Sequence, residues 1–74
     1  MQNTFARVVE TMQSIGVAGH RIDESNSLEQ LQIDSLDMVD LTICLEDEFE
    51  IELSDDVVGN FKTVGDIVRH IEVL

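Results

Sequence analysis

The sequence contains no proline, tryptophan or tyrosine, one cysteine, and four basic side chains among 74 residues. Each scarcity excludes something. The lone Cys44 rules out an internal disulfide and any cysteine-rich zinc site, and fits a reducing compartment. The four bases, Arg7, Arg21, Lys62 and Arg69, stand against 16 acids, for a formal net charge of −12. Such a surface repels nucleic acid phosphate and anionic membranes and attracts basic patches on other proteins. No apolar run approaches membrane-spanning length, and no basic segment precedes an apolar signal core. A soluble, cytoplasmic, monomeric chain is expected, with no nucleic acid partner and no membrane span. No stretch has the alternating acids, central glycine and distal glutamate of an EF-hand, so no metal site is expected. High charge with few aromatics is also a mark of disorder, but regular apolar spacing argues against it.

What is present is helical periodicity over one domain, residues 1–74. Hydrophobic residues make up 43% of the chain. A chain of this length buries only about 60% of its unfolded surface, so the core is thin. Asn3 or Thr4 caps a first helix over about residues 4–15, with Phe5, Val8, Val9, Met12 and Ile15 on one face and Gly16 as its stop. Residues 17–33 form a long connection. Gly19, Asp23, Ser25 and Asn26 favour loop, while Val17, Ile22, Leu28, Leu31 and Ile33 are apolar enough to pack on the core. Ser27 and Gln30 have the spacing of a capping box and suggest one helical turn. Loops of this length in compact domains are often functional.

A second helix is predicted over residues 35–49, and its apolar residues divide into two groups. Met38, Leu41, Leu45 and Phe49 share one side at 100° per residue and are the core candidates. Leu36, Val39 and Ile43 fall nearly opposite, beside Asp40 and Asp47, and read as at least partly exposed. An apolar strip edged by carboxylates resembles a docking surface. Glu46, Asp47, Glu48, Glu50 and Glu52 then crowd the helix end, against its dipole, and are assigned mostly to solubility. Ile51-Glu52-Leu53 reads as an extended connector with Ile51 and Leu53 inward. Ser54 caps a short helix through Val58, ended by Gly59-Asn60. Thr63, with Asp66 three positions on, starts a last helix whose buried stripe is Val64, Ile67, Val68 and Ile71, with Val73 or Leu74 extending it. The fold class is all-α: a four-helix bundle with three main helices, one short helix and a long first loop.

Chemistry concentrates at the start of the second helix. Asp34 is a good N-cap, Asp37 reaches back from three positions on, and Ser35 falls at about the first helical position. A helix N-terminus favours an anion by about 0.3–1 kcal/mol at an exposed site, so Ser35 could carry a phosphodiester. The bland reading is that Ser35 merely caps. A nucleophile reading needs a base and an oxyanion site. Only His20 and His70 could supply the base, and they read as a loop residue and a surface residue near a helix C-terminus. Cys44 reads as a partly buried helix residue, and Met12 and Met38 as core fillers.

From Asp34-Ser35-Leu36-Asp37-Met38-Val39-Asp40-Leu41, through Leu45-Glu46-Asp47-Glu48-Phe49 and Ile51-Glu52-Leu53-Ser54-Asp55, to Thr63-Val64-Gly65-Asp66, the sequence resembles the acyl carrier protein family. The likeness covers most of residues 28–71. It implies a non-enzymatic carrier whose Ser35 is esterified by 4′-phosphopantetheine, derived from coenzyme A, through a separate phosphopantetheinyl transferase. It implies acyl cargo held as a thioester on the cofactor's thiol. Asp34, Leu36, Asp37, Val39, Asp40, Ile43 and Asp47 would then meet basic docking patches on acyl-transferring, condensing or ligase enzymes of fatty acid, lipid or polyketide biosynthesis. The sequence departs from the family at Gln32, where glycine is frequent, and at Val57 and Val58, which are more apolar than usual. An acidic protein-interaction module and a carrier for an aminoacyl or peptidyl pathway are the competing readings.

Overall fold

The structure is a computed structural model that describes residues 3–17 and 22–74. Four helices follow in order: α1 (Thr4–Ser14), α2 (Ser35–Phe49), α3 (Asp55–Gly59) and α4 (Val64–Glu72). Among the described residues there is no β-strand, only an isolated bridge between Ser27 and Thr63. The expected loop positions Gly19 and His20 lie outside the described residues, as does Arg21.

Each helix begins where a side chain satisfies an N–H that the helix itself leaves free. Asn3 Oδ1 accepts from Ala6 N at 2.7 Å for α1, and Ser54 Oγ accepts from Val57 N at 3.3 Å for α3. Helix α1 stops at Gly16, whose φ of +93° suits glycine. Helix α1 packs against both α2 and α4. Their shared core holds Val8, Met12, Leu41, Leu45, Val64, Ile67 and Val68. The long connection contributes Ile22, Leu28 and Ile33, and the extended connector contributes Leu53. Met38, Phe49 and Ile51 are only partly buried at the edge of this core. Val73 and Leu74 do not extend it: they are 80% and 67% exposed, because α4 ends at Glu72 before its stripe returns to the core.

The long connection is ordered by hydrogen bonds to the start of α4. Leu28 N donates to Lys62 O at 2.9 Å, Val64 N to Asn26 O at 3.0 Å, and Gly65 N to Glu24 O at 2.9 Å. Loop carbonyls thus serve N–H groups in α4's first turn. A Cβ at Gly65 would stand 3.0 Å from Glu24 O, so glycine is what allows this close approach. Within the connection, Ser27 N donates to Gln30 Oε1 and Gln30 N to Ser27 Oγ, both at 2.9 Å. Ile33 N donates to Leu28 O and Gln32 N to Glu29 O, both at 3.0 Å. These are the paired bonds of a Schellman stop, with buried Leu28 and Ile33 as its hydrophobic contact. Residues 27–33 are therefore a single turn capped at both ends, shorter than a helix. The stop places Gln32 at φ +60°, in the left-handed region that costs a side-chain-bearing residue about 1–2 kcal/mol.

The acidic end of α2 is more than a solubility feature. Arg7 of α1 donates through Nε to Glu48 Oε2 at 3.0 Å and through Nη2 to Glu48 O at 2.9 Å. Its guanidinium also lies 4.3 Å from the centre of the Phe49 ring. A cation from a neighbouring helix thus offsets the carboxylates that oppose the dipole. Glu46 Oε2 accepts from Leu53 N at 2.9 Å and ties down the connector. Helix α2 ends at Glu50 in the left-handed conformation, φ +55°.

At α4, the Asp66 carboxylate accepts from the backbone N–H groups of Lys62 and Thr63 and from Arg69. Those bonds, the two backbone ones foremost, hold its pKa below the ordinary 3.8, against a smaller opposing effect of burial. A depressed carboxyl stabilises the fold above its unfolded pKa, and this contribution is lost as pH falls through the folded value. Asp66→Asn is therefore expected to lower the urea midpoint at neutral pH. Its deficit against wild type should narrow as pH falls below 3.8. A pH-independent deficit would contradict this assignment.

Candidate functional site

The first turn of α2 is fixed by a reciprocal pair. Asp34 Oδ1 accepts from Asp37 N at 2.9 Å, and Asp37 Oδ2 accepts from Asp34 N at 3.4 Å. Asp34 is extended at φ −91° and ψ −173°, so the helix proper starts at the next residue. That residue, Ser35, is exposed, and its hydroxyl makes no hydrogen bond within the chain. The contrast with Ser54 and Thr63 is informative. Their hydroxyls cap helices and accept backbone N–H groups. At α2 a carboxylate does the capping, which leaves Ser35 Oγ free at a position where an anion is favoured.

Three faces of α2 diverge from this point. Leu41 and Leu45 point into the core. Ser35, Val39 and Ile43 border a groove of about 590 Å³ between α2 and α3, whose far wall includes Leu53, Val58 and Phe61. The Glu46–Leu53 hydrogen bond holds the connector at that wall. Leu36 and Ile43, 78% and 59% exposed, form an outer ridge with Val39 at 56%. Asp40 and Asp47 are exposed, and by helical angle they flank this ridge on the α1 side. Asp47 also borders a recess between α1 and α2 that includes Cys44 and Glu48. Asp37, half-buried, borders another recess with Gln30 and Gln32.

The expected site residues thus lie along one helix but not on one plane: an apolar ridge, a groove on one flank and carboxylates on the other. Sequence reasoning missed Arg7 and Glu46. Their roles depend on contacts across 41 and 7 positions respectively, which no local pattern signals. His70 is half-buried and sits edge-on to Phe61, with ring centres 5.7 Å apart. Among the described residues no group of histidine, cysteine, aspartate or glutamate could hold a metal ion, and no helix is long and apolar enough to cross a membrane.

The architecture is that of a small helical bundle, with a free hydroxyl at the start of the longest of its four described helices. The chain belongs to the phosphopantetheine attachment site family, whose model matches residues 6–71. It is 48% identical over 50 residues to an acyl carrier protein of Wolinella succinogenes, covering 68% of this chain and 66% of that protein, just under two thirds of its length. An acyl carrier protein of Trieres chinensis is 36% identical over 72 residues, covering 95% and 90% of the two chains. One of Clostridium perfringens is 48% identical over 48 residues, covering 65% and 63%. The family's description gives the attached group as phosphopantetheine, and these relatives are named as acyl carrier proteins.

Proposed function

We propose that Ser35 is the attachment residue and that the chain carries acyl groups as thioesters on its 4′-phosphopantetheine arm. The single observation that supports this most is the exposed, unbonded Ser35 hydroxyl on the first residue of a helix capped by its neighbour. The bound arm supplies a tethered thiol, whose thioester activates the acyl carbonyl. Ser35 Oγ forms the new phosphoester bond with the pantetheinyl phosphate of coenzyme A. The pyrophosphate P–O bond of coenzyme A breaks, adenosine 3′,5′-bisphosphate leaves, and a base of the transferase takes the hydroxyl proton. The groove beside Ser35 offers apolar shelter to the arm or its cargo.

The docking face is Asp34, Leu36, Asp37, Val39, Asp40, Ile43 and Asp47. The carboxylates of Asp34 and Asp37 repel the very phosphodiester that the helix dipole attracts, so capping alone does not account for the density of acids. A basic surface on the partner offsets that repulsion, with Leu36, Val39 and Ile43 as its apolar footing. Tethering raises the effective concentration of cargo at each docked enzyme, while a small footing with a charged rim keeps the contact transient. Acyl-transferring and condensing enzymes of fatty acid or related lipid biosynthesis are the partners this face suits, and a cytoplasmic monomer is the form that serves them.

The test is direct. Incubation with coenzyme A and a broad-specificity phosphopantetheinyl transferase should add one phosphopantetheine mass to the peptide containing Ser35. Absence of the gain in wild type, or an undiminished gain in Ser35→Ala, overturns the assignment.

A further inference from the structure

We propose that Gln32 is a docking contact for the transferase that modifies Ser35, an inference that rests on Ser35 being the attachment residue. Gln32 holds a left-handed backbone, φ +60°, that glycine adopts without steric penalty. The fold uses its backbone: its N–H closes the Schellman stop on Glu29 O. It does not use its side chain. The carboxamide is exposed and makes no hydrogen bond within the chain. Gln30, two residues earlier, gives the opposite picture, since its side chain accepts from Ser27 N. A strained residue with an idle side chain is a candidate for an external role.

Its position specifies that role. Gln32 and Asp37 border one recess of about 370 Å³, with Ile15, Val17 and Leu31 as apolar lining. Asp37 belongs to the capping pair that brackets Ser35. Gln32 therefore adjoins the docking face on the flank away from the groove. An uncharged oxygen beside a carboxylate, in a recess lined by both polar and apolar side chains, suits a lysine or arginine. The stem of that side chain covers Ile15, Val17 and Leu31 while its head is shared between Gln32 Oε1 and Asp37. The occupant is a basic side chain of the transferase, consistent with its need to approach a chain of net charge −12.

Glu50 provides the control. It is the other described non-glycine residue with positive φ, at +55°, and it is exposed. It lies about 22 Å along α2 from Ser35, beyond two screening lengths at physiological salt. Gln32→Gly, Gln32→Ala and Glu50→Gly are to be compared with wild type for melting temperature and for kcat/KM of phosphopantetheine transfer by the broad-specificity enzyme. Both glycine variants should melt a few degrees higher, because each relieves a left-handed side-chain-bearing residue. Only the Gln32 variants should lose kcat/KM, by about three- to tenfold and through KM, as expected for one lost polar contact. Wild-type kcat/KM in both Gln32 variants overturns the proposal while leaving the Ser35 assignment intact. No transfer to wild type at all, or undiminished transfer to Ser35→Ala, overturns that assignment and this inference with it.

Discussion

Reversing Asp40 and Asp47 together to lysine is expected to lower kcat/KM for transfer onto Ser35 by about 10- to 100-fold at low ionic strength, with the loss shrinking as salt is added. Both residues are exposed on the α1 side of the ridge formed by Leu36 and Ile43. Neither takes part in a hydrogen bond or ion pair that holds the fold, unlike Glu46, Glu48 and Asp66. The double reversal moves the formal net charge from −12 to −8, which reduces self-repulsion and should not destabilise the bundle. A control with the same charge change elsewhere separates a face from a field. Asp23 and Glu72 are exposed and far from the ridge in sequence. If Asp23→Lys with Glu72→Lys slows transfer as much as the ridge pair does, attraction is a property of total charge and the docking face is wrongly placed. If the ridge pair alone slows it, the carboxylates act where they stand.

How much of this was legible from residues alone follows from the range of each signal. Helix α2 was readable to its ends because every cue was local: Asp34 and Asp37 three apart, two apolar groups at helical spacing, and a run of acids after Leu45. The exposure of Leu36, Val39 and Ile43 followed from the same 100° geometry. The capped turn at residues 27–33 was half visible. Ser27 and Gln30 announced its start, but its Schellman end was hidden because Gln32 occupies a position that glycine would have marked. Among the acids from Glu46 to Glu52, the structural roles of Glu46 and Glu48 were not legible because their partners are distant in sequence. Arg7 approaches Glu48 only once α1 has packed on α2, and Leu53 N reaches Glu46 only after the connector has turned back. Val73 and Leu74 erred the other way: their spacing continues the α4 stripe, but the helix they would extend has already ended. The sequence favoured Asp34 as the cap and Ser35 as the first helical residue, as the structure has them, but that the Ser35 hydroxyl finds no other partner in the chain was beyond any local cue.

Leu41→Ala and Val39→Ala should produce crossed outcomes, and the pair tests the division of α2 into a structural and a functional side. The two residues are separated by about 160° around the helix. Leu41 is fully buried, between α1 and the rest of the core, and truncation there removes apolar contact and leaves a cavity. The expected cost is about 2–5 kcal/mol, a large share of the stability of so small a domain. A fall in melting temperature of about 10 °C or more should follow. Val39 is 56% exposed, so its truncation should leave the melting temperature within a few degrees of wild type. Its effect should appear in docking, as a higher KM for transferase or acyl-transferring enzyme, because the side chain borders both the ridge and the groove beside Ser35. Measured below its melting point, folded Leu41→Ala should retain wild-type KM, since nothing of Leu41 reaches the surface. Should Val39→Ala instead lose stability while KM is unchanged, the strip formed by Leu36, Val39 and Ile43 serves the fold and not a partner. In that case the carboxylates beside it would have to provide recognition without an apolar footing.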